Sequence, residues 1–424
     1  MEHRVVVTGL GICAPNGVTI ADFTKTLQEG SSGISFQQEL KDLNFGCHVA
    51  GKPELTSEYI NKYFTPLQLR DLNASGLVYG VIAGTDAWTD AGLSKAEADE
   101  PDWDSGIIFG TGILGVDKFR ESIHLVDAGN TRRLGSTSVI QTMASGISAY
   151  LGGILGSGNQ VTTNSSACTT GTEGLMMAYD RIQAGKAKRI LTGSCSDSGP
   201  YVWGGFDAMR ILPRKYNDTP STASRPLSAS ASGFVPGSGA GALVLESLQS
   251  AKQRGAKIYA EVLGGAINSG GQRAGGSMTA PNSISVQRCI KMALKNSGIA
   301  SKDIEAINGH LTATGKDPVE VLNWSLALER SGLDFPYINS FKGIMGHGLA
   351  ASGSMECVAA VLQFKKGQIF GNVNVEDLHP EIEKIVDKSR IPVKTIDFKP
   401  KTIAKASFGF GDVNACVIFR TFMD

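Results

Sequence analysis

Charge is what this chain has least of. Its 424 residues carry 40 Lys and Arg against 40 Asp and Glu, a formal net charge of zero, and only 19% of them are charged. A field of that kind argues against a dedicated nucleic-acid binder, which needs a surplus of cations to neutralise phosphates. Cysteine is sparse as well. The seven, at 13, 47, 168, 195, 289, 357 and 416, are odd in number, widely spaced and without a CxxC pair, which argues against a disulfide framework or a clustered zinc site and points to a reducing compartment. No apolar run reaches the roughly 18 residues of a membrane span. The first residues lead straight into Val5-Val6-Val7 with no cleavable apolar leader, so a cytoplasmic chain is expected. There is no GxxxxGK[ST] phosphate loop, Gly9-Leu10-Gly11 lacks the third glycine of a dinucleotide fingerprint, and no HExxH motif or tight acidic cluster proposes a metal.

What is present is glycine, 52 residues of it, falling in short turns beside apolar strands as in a layered α/β protein with tight connections. A first strand is expected over residues 4–10, ending in the turn Gly9-Leu10-Gly11. Helices are expected over 21–28, 67–91, 137–155 and 247–255, with 199–232 irregular. The plan then starts again. Residues 258–266 match the opening strand, 285–309 repeat the order of 83–110, and 352–369 echo 172–186. This predicts two similar αβ halves, 1–250 and 251–424.

Within this frame Asn164 to Asp180 constrains most. β-branched residues before it suit the end of a strand, and Leu175, Met176, Ala178, Tyr179 and Ile182 recur at helical spacing after it. Cys168 therefore falls at a strand-to-helix junction, where free N–H groups and the helix dipole favour a thiolate and can hold an oxyanion. Those are requirements of acyl transfer through a thioester. Simple burial is the commoner fate of a free Cys, and the rest of the chain weighs against it.

A second stretch, Ala306 to Glu320, reads as a buried strand leading to His310, a turn with Thr312 and Thr314, and a helix starting near Asp317-Pro318; Asp317 and Glu320 read as caps or salt-bridge partners rather than catalytic acids. A third, Tyr337 to Gly353, has a strand ending at Lys342 and a glycine-flanked His347 before a helix containing Glu356. Two histidines at corresponding strand ends suit a carbon nucleophile whose enolate oxygen needs paired donors. Lys342 suits a carboxylate or the tuning of the histidines, and otherwise an ion pair with Glu356. Finally Gly409 and Gly411 flank Phe410, giving either a loop that offers an N–H while its ring gates a channel, or a plain hairpin turn.

With these residues in place, the chain resembles the β-ketoacyl-acyl carrier protein synthases of the thiolase-fold superfamily, close to the elongating ketosynthases of type II fatty-acid synthesis. The resemblance covers essentially the whole chain. It rests on Val5 to Gly11, the Cys168 motif, Ser224-Arg225-Pro226 leading to Gly233-Phe234-Val235, Ala240 to Glu246, Arg254 to Glu261, His310, Ser340-Phe341-Lys342 with Gly346-His347, and Ser407 to Gly411. It implies a thiolase-like duplicated αβαβα layered sandwich, with Cys168 accepting an acyl chain from a carrier-protein thioester. His310 and His347 would bind malonyl thioester and promote its decarboxylation. The N–H groups of Cys168 and Phe410 would form the oxyanion hole, Lys342 and Glu356 would organise the histidines, and Thr312 and Thr314 would line the phosphopantetheine channel.

No dissociable cofactor is implied, since phosphopantetheine arrives on acyl carrier protein. That partner is acidic, and Lys62, Arg70, Arg132, Arg133, Arg214 and Lys215 are its candidate docking residues. A homodimer, or a heterodimer with a ketosynthase-like chain-length partner, is expected. Competing readings are a non-catalytic chain-length or scaffold partner and a coenzyme A-dependent thiolase, whose second Cys would be needed in the final glycine loop, where Phe410 stands and Cys416 lies beyond.

Departures from the family pattern point to an unusual acyl substrate, such as that of a polyene or other specialised lipid pathway. Leu311 replaces Gly after the first His, which would put bulk near the pantetheine path. Residues 227–232 replace a charged segment, Ser238 stands between Gly237 and Gly239 where Glu is usual, Asp412 follows Gly411, and Glu173 sits in the Cys helix.

Overall fold

The computed structural model describes residues 3–97 and 99–423. Its centre is a mixed sheet of ten strands. In chain order these are β1 (Val5–Cys13), β2 (Ser105–Thr111), β3 (Val161–Thr162), β4 (Arg189–Ser196), β5 (Gly239–Ser247), β6 (Ala260–Ser269), β7 (Ala306–Asn308), β8 (Tyr337–Asn339), β9 (Thr402–Gly409) and β10 (Val413–Arg420). Across the sheet they run β8-β7-β9-β10-β6-β1-β5-β4-β2-β3. Read outward from the β1/β6 seam, each set of five has the same order by its own chain sequence: first, fifth, fourth, second, third. The strand directions agree too, with the second, third and fourth mutually parallel and the fifth antiparallel to its neighbours. The repeat read in the sequence is thus present as repeated topology.

Helices cover the sheet in layers. α1 (Ser75–Asp90) packs on β1, β4 and β5, and α4 (Ser283–Asn296) packs on β6 and β10. Between the halves lie α3 (Thr170–Gln183) and α6 (Ser352–Lys366), each touching strands of both sets. Where these two helices meet, a Cβ on Gly171 would stand 2.3 Å from Ser354 N and one on Gly353 would stand 2.6 Å from Thr172 N. Glycine at both positions is what lets the helix starts touch. α2 (Gly146–Leu155) and α5 (Asp317–Leu328) complete the set needed below. The α/β class and the thiolase-like layering follow from this arrangement.

Local expectations fail where tertiary contacts override the pattern. β1 does not turn at Gly9-Leu10-Gly11 but runs on to Cys13 with a bulge after Val7. Its glycines serve packing instead, because a Cβ on Gly9 or Gly11 would stand 2.2 Å from Ala87 O or 1.9 Å from Ala83 O of α1. The helix expected over 67–91 is split into Pro66–Leu69 and α1. Gln141 takes the backbone between them, accepting from Asn73 N (2.8 Å) and donating to Asp71 O (2.8 Å). The helix expected over 137–155 is likewise Ser138–Thr142 followed by α2. The stretch read as irregular contains the helix Pro200–Ala208, opened by proline in its first turn. Among the described residues no helix is long and apolar enough to cross a membrane.

Candidate active site

Four strand ends converge on one cavity of about 710 Å³. Its floor is Cys168, His310 and His347, and its walls include Phe206, Phe234, Thr312, Thr314, Phe408 and Phe410. The parallel strands β7, β8 and β9 bring in His310, His347 and Phe410 from one half, and β3 brings in Cys168 from the other, which is the rim where open α/β sheets gather ligands.

Cys168 lies in a tight turn ahead of α3. Ala167 stands at φ 50°, a left-handed conformation that costs energy for a residue with a Cβ. The turn is closed by Ser166 N donating to Thr170 Oγ1 (2.9 Å) and Thr170 Oγ1 donating to Ala167 O (2.6 Å). Against it packs the β9–β10 hairpin. A Cβ on Gly409 would stand 3.2 Å from Cys168 N and 3.3 Å from Ser166 O, so glycine there lets the hairpin pack closely against the Cys168 turn. The thiolate expectation needs correction: burial raises the Cys168 thiol, and the opposing pulls of Lys342 and the Phe410 N–H do not outweigh it. The helix start is thus a better cradle for an oxyanion than for a resting thiolate.

The sulfur of Cys168 and one ring nitrogen from each of His310 and His347 lie within 4.8 Å of one another. The imidazoles meet edge to face, centroids 5.4 Å apart, and His347 also packs on Phe234. His347 is held by a β-bridge, donating its N–H to Val235 O (2.8 Å) and accepting from Gly237 N (2.8 Å). Its Nδ1 accepts the backbone N–H of Leu349 at 3.0 Å and lies 3.0 Å from Ser352 Oγ. A nitrogen that accepts carries no hydrogen, so the neutral ring bears its proton on Nε2. His310 Nδ1 lies 3.5 Å from Lys342 Nζ, which sets the same tautomer. Burial first, then the Lys342 charge, pushes both imidazoles well below their usual range. They are neutral donors.

Around them the sequence-derived residues fall into three groups. Lys342 is buried; it donates to His310 O (2.7 Å) and pairs with Glu356, and burial lowers its pKa. It opens a short helix, Lys342–Met345, instead of ending the strand, which stops at Asn339. Among the described residues Glu320 and Asp317 form no ion pair, and both act as backbone acceptors. Glu320 receives His310 N (2.6 Å) and Leu311 N (2.7 Å), and Asp317 receives Thr312 N (2.9 Å), Ala313 N (3.1 Å) and Leu227 N (2.9 Å). Together they fix the turn that aims His310.

Thr312 and Thr314 stand on the cavity wall, their hydroxyls 3.1 Å apart. Leu311 does not. Held at φ 26°, it is fully buried in the apolar core of the C-terminal half with Leu227, Val321 and Trp324, so the bulk expected beside the channel points away from it. Lys62, Arg70, Arg132, Arg133, Arg214 and Lys215 are all exposed and none lines the cavity. Arg214 pairs with Asp207 (3.7 Å) and Arg70 with Asp71 (4.0 Å). Cys416, the thiolase alternative, is buried in β10 with its thiol pushed well up by that burial.

Besides wall residues such as Phe206 and Phe408, a buried lysine escaped sequence reasoning. Lys405, in β9, is fully buried and its Nζ lies 2.7 Å from Glu356 Oε2. A lysine in an alternating strand reads as solvent-facing; here both sheet faces are covered.

Comparison with known proteins agrees with this geometry. The sequence matches the Beta-ketoacyl synthase N-terminal domain over residues 2–251 and the Beta-ketoacyl synthase C-terminal domain over 259–376. It is 33% identical to 3-oxoacyl-[acyl-carrier-protein] synthase 1 of Escherichia coli (strain K12), over 99% of this chain and 100% of that protein. Similar solved structures include a ketosynthase of a type II polyketide synthase bound to its acyl-carrier protein, with TM-score 0.87 and 27% identity. Another is the ishigamide ketosynthase/chain length factor, with TM-score 0.88 and 25% identity; both likenesses cover 100% of each chain. With a cysteine at a helix start, two histidines beside it and these matches along the same chain, the protein belongs to the beta-ketoacyl synthase family.

Proposed function

We propose that this chain catalyses the decarboxylative condensation of an acyl thioester with malonyl-acyl carrier protein. The observation that carries the reading is the cavity floor, where the Cys168 sulfur and one ring nitrogen from each of His310 and His347 lie within 4.8 Å of one another. Cys168 Sγ attacks the acyl thioester carbonyl, the N–H groups of Cys168 and Phe410 hold the oxyanion, and the departing pantetheine thiolate takes the thiol proton. Malonyl thioester then places its carbonyl oxygen on the Nε2–H groups of His310 and His347. Loss of CO2 leaves an enolate whose carbon attacks acyl-Cys168, and Cys168 departs as a thiolate that is reprotonated. The product is 3-oxoacyl-acyl carrier protein. Every step is served by side chains and backbone, so no dissociable cofactor or metal is needed, and we read Thr312 and Thr314 as pantetheine contacts, Phe410 as the gate and Lys342 with Glu356 as the support.

The halves divide at residues 250–251 in this reading, and the chain works in the cytoplasm without a nucleic-acid partner. Acyl carrier protein docks through the exposed cations Lys62, Arg70, Arg132, Arg133, Arg214 and Lys215. A second subunit, either a copy of this chain or a chain-length partner, covers the apolar face formed by Phe119, Ile123 and Val126 on the helix Val116–Asp127. Such spacing puts three apolar residues on one helix face toward water, which marks an interface. The departures at Asp412, Glu173 and 227–232 favour a specialised acyl chain, such as a polyene, over a housekeeping one. Mass spectrometry after incubation with acyl-acyl carrier protein tests the core claim: an acyl adduct on Cys168 that is consumed by malonyl-acyl carrier protein is expected. No adduct would sink the enzyme reading and leave that of a chain-length partner.

A further inference from the structure

β9 alternates strictly. Ala404, Ala406 and Phe408 face the core of the C-terminal half, while Ile403, Lys405 and Ser407 face the middle helices: Ile403 packs with Ala360, Lys405 meets Glu356, and Ser407 Oγ lies 2.9 Å from Thr172 Oγ1. Residues 356 and 360 are one helical turn apart and 403 and 405 are one strand repeat apart, so the register places a lysine opposite a glutamate behind the catalytic floor. Lys405 Nζ also donates to Ala406 O (2.5 Å) and Ser407 Oγ (3.0 Å). Two hydrogen bonds and the ion pair with Glu356 offset the cost of burying the ammonium.

The consequence is electrostatic. Glu356 gives one oxygen to Lys342 and the other to Lys405, so a single buried anion faces two buried cations. Other titratable groups surround this trio. Cys357 and Cys416 are neutral thiols raised by burial, Cys357 to about 12. Glu320, which faces Lys342, is raised by burial to about 7, and its neighbour Asp317 to about 6. His310, His347 and Cys168 complete the surroundings.

We propose that Lys405 is a positioning residue of the condensation. By sharing Glu356 with Lys342 it places a second cation behind the two imidazoles, holding both rings as neutral Nε2–H donors and favouring the enolate formed against them. Lys405 touches no substrate; it acts through Glu356 and Lys342. The inference rests on the condensation reading above and extends it to a residue outside the cavity.

The test uses the full chain as wild type, Lys405→Met and Lys405→Arg. In the wild type, NMR titration of 13Cε1-labelled histidine should show neither cavity imidazole protonating near the ordinary value of about 6.5. In Lys405→Met the loss of one like charge should raise both rings, moving the acid limb of malonyl decarboxylation up by about one pH unit, while Lys405→Arg keeps the wild-type limb. Wild-type rings that titrate near the ordinary value, or Met and Arg variants with one and the same limb, would overturn the proposal. Should Lys405→Met not fold, the wild-type titration and the Arg limb still decide. Should the wild type show no condensation at all, that reading fails by itself, and the histidine shift between wild type and Lys405→Met still answers for Lys405.

Discussion

The backbone N–H of Leu349 points at Nδ1 of His347 from 3.0 Å, and Leu349 holds φ 53° to do so. A left-handed leucine is strained, and the strain is maintained because the same turn is tied at Ala351 N to Ser196 Oγ (3.1 Å). The tautomer of His347 is thus set by backbone geometry. In the proposed condensation, replacing the ring by Ala removes one of two donors to the enolate oxygen and leaves the N–H groups around Cys168 intact. Malonyl decarboxylation by His347→Ala should fall by about 10²–10³-fold, with the Cys168 acyl adduct still forming. CO2 release and adduct mass, measured side by side, check this division of labour. His310→Ala should behave alike.

Glu320 gives a prediction about pH. Burial raises its carboxyl to about 7 in the folded chain, against an ordinary value of about 4.3 once unfolded. A group whose folded value is raised binds more protons in the native state, so its contribution to stability is full below the unfolded value and is lost as pH rises through the folded one. Between about pH 4.3 and 7, therefore, Glu320 makes stability fall with rising pH. Glu320→Gln cannot ionise and still offers an oxygen to His310 N or Leu311 N. Urea midpoints at both ends of that window should differ less in the variant than in the wild type; equal differences would reject the role.

Leu311 is where sequence and structure part most clearly. Its place directly after His310 suggests a channel residue, yet the backbone at φ 26° turns the side chain into the core. Leu311→Gly loses packing of about 2–5 kcal/mol, offset by about 1 kcal/mol from relief of the left-handed backbone. Thermal unfolding should drop while the range of acyl chains accepted stays the same. A changed acyl profile without loss of stability would return Leu311 to the channel.

The same contrast explains what was legible beforehand. The duplicated plan could be read because helix ends, glycine caps and apolar strands are local signals, and the convergence of Cys168, His310 and His347 followed once each was placed at a strand end. Gly9 and Gly11 misled because their glycine character answers to α1, a partner more than 70 residues away in sequence, and not to a turn. Lys405 was illegible for a related reason: nothing in residues 403–407 records that a glutamate on another helix waits opposite. The role of Asp412 also depends on a distant segment.

Asp412 replaces a usual glycine in the hairpin turn at φ 61° and is fully buried. Its carboxylate accepts the N–H groups of Gln272 (3.0 Å) and Asn282 (2.8 Å), while its own carbonyl accepts Gly270 N (2.9 Å) and Gly411 N donates to Met278 O (2.8 Å). A Cβ on Gly270 or Gly276 would stand 2.2 or 2.4 Å from Asp412 Oδ2, so glycine at both is what lets the loop 270–282 wrap this acid. Ala274, Gly275, Thr279 and Pro281 of that loop line the cavity, and the Phe410 turn and the cavity wall therefore move as one piece. Each hydrogen bond to the carboxylate contributes about 1.5–3 kcal/mol. Asp412→Gly keeps the backbone conformation and removes the anchor, so amide exchange across 270–282 should quicken at least about tenfold, with Asp412→Asn in between because one amide oxygen still accepts. If exchange in that loop were unchanged in Asp412→Gly, the carboxylate would not be what holds the wall to the gate.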